Sequence, residues 1–305
     1  MSALHVVVGA GPLGSGVASA LVARGERVRV VRRAETSPVA GVETVAGDVT
    51  DPAFALHALS GASVVYQCAQ PRYHRWPKEF EALQNRILDA AAAASARVVI
   101  ADNLYGYGDP GGAVIADSSA RDPHTVKGRL RERMAQAALA DDRLEVTLSR
   151  PSNYIGPGYE VFATSVVRPA LRGRTMQFLG RLDVAHSFSY IPDSAAAMVA
   201  LASSERSWGR GWITPVLEPV TQQQLADLVW AAAGQPGVAR TTVIGPRGAA
   251  VLGLVLPDLG ALRELWFEFD KPYVVDAGEF ERAFGLRATP IEQAVESTVR
   301  SFRQA

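Results

Sequence analysis

The sequence predicts an α/β protein built on a doubly wound parallel sheet. In the first half of the 305-residue chain, short runs of β-branched residues alternate with alanine-rich amphipathic segments. Several of these runs are apolar throughout, as expected of strands that helices cover on both faces. After Arg150 the composition of the sequence changes, because proline and glycine residues cluster there repeatedly. This change predicts a smaller mixed α/β lobe at the C-terminal end.

Six strands and four helices are predicted before that change. The strands cover residues 4–8, 27–31, 43–46, 63–68, 97–101 and 144–149. The helices between them cover residues 13–24, 52–58, 78–95 and 127–140. In the second half, Thr221, Asp276 and Thr289 each stand three residues before a Glu or Gln, the pattern of a helix N-cap.

Composition excludes several classes of protein. The chain has 31 basic and 31 acidic side chains, and a formal charge of zero argues against a nucleic-acid-binding protein. Its single cysteine excludes a disulfide framework and a thiol-rich zinc site, and its histidines show no metal-ligand spacing. The sequence also shows no secretory signal and no apolar run near the roughly 20 residues of a membrane helix. We therefore expect a cytoplasmic protein with no metal, no membrane and no nucleic acid as partner.

The loop after the first predicted strand carries the most informative motif. Gly9, Gly11 and Gly14 have the spacing Gly-x-Gly-x-x-Gly, with Pro12 and Leu13 inside it, between a strand and a helix. In a dinucleotide-binding loop the first glycine allows a tight turn, the second lets backbone approach a pyrophosphate, and the third lets helix and strand pack closely. We therefore predict that these five residues bind a dinucleotide. A tight turn without a ligand is the alternative.

The end of the second predicted strand indicates which dinucleotide. An NAD site usually has Asp or Glu there, about 20 residues beyond the glycines, to accept from the ribose 2′-hydroxyl. This chain has Arg32 and Arg33, whose guanidinium groups can bind a 2′-phosphate. We predict NADP(H) in preference to NAD(H). For Arg33, a solvated charge at the strand end is the alternative.

These observations predict two domains. Residues 1–150 form a dinucleotide-binding Rossmann domain, and residues 187–203 pack back on it. Residues 151–305 form the C-terminal substrate-binding lobe, in which Trp266-Phe267-Glu268-Phe269 is interpreted as core.

Further motifs are spread along the chain. Gly47-Asp48-Val49 follows the third predicted strand, Gln67-Cys68-Ala69-Gln70 the fourth, and Tyr107-Gly108 the fifth, while residues 150–158 read Arg-Pro-Ser-Asn-Tyr-Ile-Gly-Pro-Gly. Together they resemble motifs of the extended short-chain dehydrogenases/reductases, the epimerase/dehydratase superfamily. The resemblance implies that the cofactor contacts include Asp48, Val49, Ala69 and Gln70.

The active-site pattern departs from that of the superfamily. Its members have Ser or Thr after strand five and then Tyr-x-x-x-Lys at the head of the next helix, which together relay a proton. Here the serine position falls on Asn103, and the tyrosine and lysine positions align with Thr125 and Arg129. The chain thus resembles an atypical subgroup without the usual relay.

Replacements for the relay are predicted from chemistry. Asn103 can donate a neutral hydrogen bond to a developing oxyanion, and Tyr105 can act as an acid. Lys127 and Arg129 can hold ribose hydroxyls or substrate. Asn103 as a loop cap and Arg129 on a solvated helix face are the alternatives.

Four further residues are predicted substrate contacts: Tyr107, Asn153, Tyr154 and His186. A packing role for Tyr107 and a hydrogen-bonded structural role for His186 remain as alternatives.

The leading functional hypothesis is an NADP(H)-dependent oxidoreductase that reduces a carbonyl or imine of a small to medium organic substrate. Two alternatives stay open: an NAD(P)-dependent epimerase or isomerase with no net redox, and a catalytically silent NADP(H)-sensing regulator. A homodimer through the helices at 78–95 and 127–140 is expected by analogy with the superfamily.

Overall fold

The first half of the chain folds in the predicted order. A computed structural model describes residues 3–303, so the predicted domain ends at residues 1, 2, 304 and 305 lie outside the described residues. The elements of this half are β1 (Leu4–Val8), α1 (Pro12–Ala23), β2 (Arg27–Arg32), β3 (Glu43–Ala46), α2 (Pro52–Leu59), β4 (Val64–Gln67), α3 (Trp76–Ala93), β5 (Arg97–Ala101), α4 (Val126–Leu139) and β6 (Val146–Arg150). Predicted and observed ends differ by no more than two residues.

Most elements of the second half are shorter. They are β7 (Asn153–Ile155), α5 (Glu160–Phe162), α6 (Arg168–Leu171), β8 (Met176–Leu179), β9 (Ala185–His186), β10 (Phe188–Tyr190), α7 (Ile191–Ala202), β11 (Gly211–Ile213), β12 (Val220–Thr221), α8 (Gln222–Ala232), β13 (Thr241–Ile244), α9 (Pro246–Leu252), α10 (Pro257–Ala261), α11 (Phe267–Asp270), α12 (Gly278–Phe284) and α13 (Ile291–Arg303). Within residues 3–303, no helix combines the length and apolarity needed to span a membrane.

Seven strands form one parallel sheet in the order β11-β6-β5-β4-β1-β2-β3. Because the order reverses between β1 and β4, the helices that follow these two strands lie on opposite faces. The prediction of a doubly wound Rossmann sheet with a smaller mixed α/β lobe is thus confirmed. The seventh strand, β11, was not predicted, since three residues are too few to show a periodic pattern.

Strand β1, in the interior of the sheet, shows why the sheet must be covered on both faces. Val6 and Val8 pack into one hydrophobic cluster with α2, α3 and α4, whereas Val7 packs into a second cluster with α1 and α7. Alternate side chains of a strand point to opposite faces, so a strand with buried apolar residues on both faces needs two helical layers.

Helix α7 lies beside α1 although it comes much later in the chain. A Cβ atom added to Gly16 of α1 would stand 3.0 Å from the Cβ of Ala195 in α7, so the two helices touch at backbone distance. Met198 and Val199 of α7 are buried in the same cluster as Val17 of α1. Residues 191–202 thus complete one helical layer of the sheet.

The lobe has its own hydrophobic core, made by α8, α13, β8 and the segment around α5 and α6. Thr221 and Gln224 form the predicted capping box at α8. The hydroxyl of Thr289, just before α13, donates to Asp193 of α7 at 2.7 Å. This bond fastens the lobe to the Rossmann layer.

Candidate active site

The predicted glycine loop lies at the point where the strand order reverses. Gly9 has φ +98°, and its backbone N–H donates to Val31 of β2 at 2.9 Å. A Cβ at Gly9 would stand 2.6 Å from the backbone nitrogen of Ala69, and a Cβ at Gly14 would overlap the carbonyl oxygen of Gly9. Both positions therefore exclude any side chain. The loops after β1 and β4 consequently meet at backbone distance.

Gly11 borders open space. It is the N-cap of α1, with Pro12 in the first turn, and a Cβ there would find no atom within 4 Å. The N–H groups of Leu13 and Gly14 lie in the first turn, where no intrahelical carbonyl can accept them. This open space above a helix N-terminus fits the pyrophosphate of a dinucleotide.

The ends of the neighbouring strands carry the predicted adenosine contacts. Arg32 is half-buried and donates to the carbonyl of Thr36, while Arg33 is exposed. The backbone and side chain of Thr50 donate to Asp48, and these bonds, with a smaller contribution from Arg33, lower the pKa of Asp48. Val49 is buried behind this carboxylate. Two guanidinium groups and one carboxylate therefore share the end of β2 and β3.

The loop after β4 is accessible next to the glycines. Ala69 is half-buried and Gln70 is exposed. Both follow the strand that pairs with β1, so they lie on the nicotinamide side of the predicted cofactor site.

Asn103 and Tyr105 follow β5, and each makes a local hydrogen bond. The Oδ1 atom of Asn103 accepts from the backbone N–H of Tyr105 at 3.1 Å, which occupies the acceptor and not the Nδ2 donor. The hydroxyl of Tyr105 accepts from that of Tyr73 at 3.2 Å. Burial raises the pKa of Tyr105 far above its usual range, so this phenol stays protonated at all ordinary pH values.

Helix α4 turns a different face to the sheet than the alignment implies. Thr125 is its N-cap, with Oγ1 accepting from Gly128 N–H at 3.0 Å. The buried positions include Lys127 and Arg131, which are one turn apart, whereas Arg129 is exposed and folds back on a loop carbonyl. The inward pair four residues apart is therefore Lys127 and Arg131. These two residues lie two positions beyond Thr125 and Arg129, on which the alignment rested, and a contact of Arg129 with the ribose stays a prediction.

Lys127 is engaged by the C-terminal lobe. Its Nζ atom donates to Glu264 at 2.6 Å and to the carbonyl of Ala261 at 2.8 Å, and it lies over the ring of Tyr73. Glu264 also accepts from the first backbone N–H of α4, at Val126. The side chain of Lys127 is 4% exposed, so it joins α4 to the segment before α11 and is not free to bind ribose or substrate.

Arg131 belongs to a buried ion network. Its Nε and Nη2 atoms donate to Oδ1 of Asp102 at 3.0 and 2.6 Å, and Arg150 donates to Oδ2 at 3.1 Å. Burial alone would raise the pKa of Asp102, but the two guanidinium groups hold it below its usual range. The hydroxyl of Tyr107 faces Arg150, and its ring lies against the guanidinium of Arg121. The prediction of Tyr107 as a substrate contact is thus replaced by a packing role.

His186 holds two segments together. Its Nδ1 atom meets the carbonyl of Glu268 at 3.1 Å, and its Nε2 atom meets the side-chain amide of Asn153 at 3.2 Å. Burial lowers the pKa of His186 to about 4, so the ring is neutral. With both nitrogens engaged, His186 is a structural histidine and not the predicted substrate contact.

Glu268 is the principal group of this region that the sequence did not single out. It is 2% exposed, and its Oε2 atom accepts from Asn153 at 3.0 Å. The hydroxyl of Tyr273 also donates to this carboxylate. Burial raises the pKa of Glu268 to about 7, against the opposing effects of Asn153 and Tyr273. In the sequence, Glu268 is the one acidic residue in the aromatic run at 266–269, and that run was interpreted as core.

Tyr154 lies between the lobes, next to Asn153 on β7. Its ring packs edge-on against Tyr159, and Gly158 on the same segment approaches Pro12 of the glycine loop. Its contact with substrate stays a prediction.

Comparison with known proteins shows the family of this chain. The sequence profile of the NAD dependent epimerase/dehydratase family matches residues 5–211, about two thirds of the chain. The chain belongs to that family. No curated protein sequence matches it.

Solved structures of the epimerase/dehydratase type share the fold over the full length. UDP-glucose 4-epimerase from Thermotoga maritima, solved with UDP-glucose, is 17% identical with a TM-score of 0.79, covering 99% of each chain. A dTDP-glucose 4,6-dehydratase from Streptomyces venezuelae, solved with NAD, is 19% identical with a TM-score of 0.77, covering 99% of this chain and 97% of that one. At these identities the likeness shows the fold.

A groove elsewhere on the surface is unrelated to this site. It has a volume of about 490 Å³ and is lined by residues at the C-terminal ends of α1 and α7 together with α12. Those helix ends lie at the edge of the sheet where the strands begin. Ligands of this fold bind at the opposite edge.

Proposed function

We propose that this member of the epimerase/dehydratase family is an NADP(H)-dependent oxidoreductase that reduces a carbonyl or imine of a small to medium organic substrate. The observation that carries the proposal is the open space at Gly11, beside strand ends that present Arg32 and Arg33. Glycines at these positions suit a pyrophosphate, and guanidinium groups suit a 2′-phosphate.

The cofactor would be held along the ends of four neighbouring strands. The glycine loop would bind the pyrophosphate, the end of β2 and β3 the adenosine, and Ala69 and Gln70 the nicotinamide ribose. The cofactor, when bound, supplies the hydride. Asn103 would direct its Nδ2 amide at the substrate oxygen, in the position where most relatives have Ser or Thr.

The preference for NADP(H) predicts a charge-reversal result. Replacing Arg32 with Asp should weaken NADP⁺ binding by about 10–100-fold, because a charge-assisted hydrogen bond contributes about 1.5–3 kcal/mol. Binding of NAD⁺ should not weaken, since it has no 2′-phosphate. Calorimetric titration of both dinucleotides measures the two constants.

Arg27→Asp is the matched control for this experiment. Arg27 is exposed at the other end of the same strand, far from the glycine loop. The same change in net charge there should leave both affinities as they are. Equal losses in the two variants would mean a long-range charge effect and would contradict a specific phosphate contact at Arg32.

The reaction itself is tested by following NADPH absorbance with a panel of ketones, aldehydes and cyclic imines. Stoichiometric oxidation of NADPH with formation of the alcohol or amine is the expected result. Tight NADP(H) binding with no turnover of any compound would instead support a sensing role. The fixed positions of Lys127 and Arg131 are compatible with that outcome.

A second candidate is internal redox, in which the cofactor is oxidised and reduced within one catalytic cycle. The family match favours it, since epimerases give the family part of its name. Incubation with nucleotide sugars should then change their stereochemistry while NADPH absorbance stays constant. That result would overturn the reductase proposal.

A further inference from the structure

Helices α9 and α10 form a hairpin that carries exposed apolar side chains where the two helices join. The helices touch at backbone distance, because a Cβ atom added to Gly253 would stand 2.6 Å from the Cα of Gly260. A protein surface in water normally carries large apolar side chains singly, and a contiguous group of them marks a contact with a partner or a membrane. We call this group the apolar tip, and its exposed members are Val251, Leu252, Leu254, Val255 and Leu256.

The backbone of the apolar tip makes its own hydrogen bonds. The N–H of Leu254 donates to the carbonyl of Val251 at 3.2 Å. The N–H groups of Val255 and Leu256 both donate to the carbonyl of Leu252, at 3.0 and 2.8 Å. An unpaired backbone donor is costly in an apolar medium, whereas a donor that is bonded internally is not. The tip can therefore leave water without losing these bonds.

The base of the hairpin is anchored to the Rossmann half of the chain. Asp258 of α10 accepts from the backbone N–H of His74 at 3.0 Å and lies 2.7 Å from its ring nitrogen Nδ1. The carbonyl of Ala261, the last residue of α10, accepts from Lys127 at 2.8 Å. His74 follows β4, and Lys127 lies in the first turn of α4. The base is thus fixed near the ends of the strands, while the tip is exposed.

The charge around the apolar tip is basic. Arg247 lies in α9 one turn before the tip, Arg263 follows α10, and Arg72 precedes the histidine that anchors the hairpin. All three are exposed, and within residues 3–303 their side chains form no salt bridge. The neighbouring carboxylates of Asp258 and Glu264 are engaged by a histidine and a lysine. Three guanidinium groups are therefore available to an anionic partner.

Shape and charge together favour an anionic lipid surface as that partner. The side chains of Leu254 and Val255 protrude, since they are 85% and 80% exposed. A lipid interface accommodates a protruding apolar group, whereas a protein partner must supply a matching pocket. A second copy of the chain, docked through the same surface, would place arginines opposite arginines. Anionic headgroups instead attract them.

We propose that the α9–α10 hairpin docks on anionic membranes, with the apolar tip in the lipid interface and Arg72, Arg247 and Arg263 among the phosphate headgroups. Within residues 3–303 no helix is fit to span a bilayer, and docking needs none, because a surface-bound helix enters only the boundary between headgroups and acyl chains. The expectation of no membrane partner was drawn from the lack of a long apolar run and does not cover this contact. The proposal is independent of the reductase function.

Co-sedimentation with vesicles tests the role of the tip. The wild type should bind vesicles of equal parts phosphatidylglycerol and phosphatidylcholine, and Val255→Asp should bind them at least about tenfold more weakly, because a charged residue enters lipid unfavourably. Val238→Asp is the matched control. Val238 is 83% exposed and precedes β13, whereas the hairpin follows the other end of that strand. With the same change in charge, this variant should stay close to the wild type.

A change of headgroup tests the arginines. Arg263→Gln should weaken binding to the anionic vesicles about fivefold. It should leave binding to pure phosphatidylcholine vesicles unchanged, since these carry no net charge. Arg287→Gln is the control, because Arg287 is an exposed arginine elsewhere, after α12. This variant should leave binding to both kinds of vesicle unchanged.

Three outcomes would overturn the proposal. The first is a wild type that does not bind anionic vesicles, and the second is equal binding by the wild type, Val255→Asp and Val238→Asp. The third is a dimer in light scattering that Val255→Asp dissociates while vesicles stay unbound, which would assign the tip to a second copy of the chain. Equal urea midpoints of the variants would exclude unfolding as the cause of a loss. None of these measurements requires turnover, so a failure of the reductase function would leave them interpretable.

Discussion

Replacing Asp102 with alanine is expected to lower the free energy of unfolding by about 3–5 kcal/mol, the usual loss when one member of a buried ion pair is removed. The side chain of Asp102 is 1% exposed, and those of Arg131 and Arg150 are 3% and 8% exposed. The variant would leave two guanidinium groups in the interior without a counter-ion. Urea unfolding followed by circular dichroism measures the difference.

The size of this effect follows from the number of bonds that one carboxylate accepts. Oδ1 accepts from two nitrogens of Arg131, and Oδ2 accepts from Arg150. These residues belong to α4 and β6, so Asp102, just after β5, ties three elements at the edge of the site. Because its folded pKa is depressed, this stabilisation should also disappear on acidification, as pH falls below the usual range of an aspartate.

An exposed ion pair of the same chain is the control. Arg181 and Asp183 are 56% and 68% exposed, and solvent screens such a pair so that it adds little to stability. Asp183→Ala should therefore shift the urea midpoint little. If Asp102→Ala were equally mild, the buried network would not be a stabilising element. Asp102→Asn, which keeps the shape, should lie between the two.

Most of the Rossmann half could be predicted because its signals are local. Alternation of apolar strands with amphipathic helices predicts the order of elements, and the spacing of Gly9, Gly11 and Gly14 predicts the loop after the first strand. The short strand β11 and the two-stranded sheets of the lobe were not predicted. Each of these strands pairs with a strand that is distant in the sequence, and each is too short to show a periodic pattern of apolar residues.

The candidate site was predictable only in part, for a related reason. The glycine loop is a contiguous motif, so its position after β1 could be inferred directly. The buried face of α4 carries Lys127 and Arg131, whereas the alignment rested on Thr125 and Arg129, because the packing partners of a helix cannot be read from a local motif. Glu268 was concealed in an aromatic run. Its proximity to Asn153, 115 positions earlier, arises only when the lobe folds over the sheet.

Replacing Gly11 with alanine is expected to weaken NADP⁺ binding by about 10–100-fold without unfolding the protein. Gly11 has φ −72°, which any residue adopts, and its added methyl group would meet no protein atom within 4 Å. The methyl would instead fill the space that a pyrophosphate needs, and overpacking of this kind costs about 1–3 kcal/mol. Calorimetric titration with NADP⁺ measures the loss.

Gly245→Ala is a closely matched control for that result. Gly245 is the N-cap of α9 with φ −81° and ψ 175°, close to the φ −72° and ψ −175° of Gly11. Each is followed by a proline in the first turn, and a Cβ at Gly245 also meets no atom within 4 Å. The two substitutions should therefore cost similar helix stability, on the order of 1 kcal/mol at an N-cap. Only the first should affect NADP⁺.

Comparing Gly11→Ala with Gly245→Ala separates an effect on NADP⁺ binding from an effect on helix stability, because the two glycines have the same backbone geometry and differ in location. A loss of affinity confined to Gly11→Ala, at equal urea midpoints, would identify the loop after β1 as the pyrophosphate site. Wild-type affinity in that variant would contradict a bound phosphate there and would remove the basis for assigning Arg32 to the cofactor. Affinity lost in both variants would instead trace to weakened helices, since α9 lies in the lobe and α1 on the sheet.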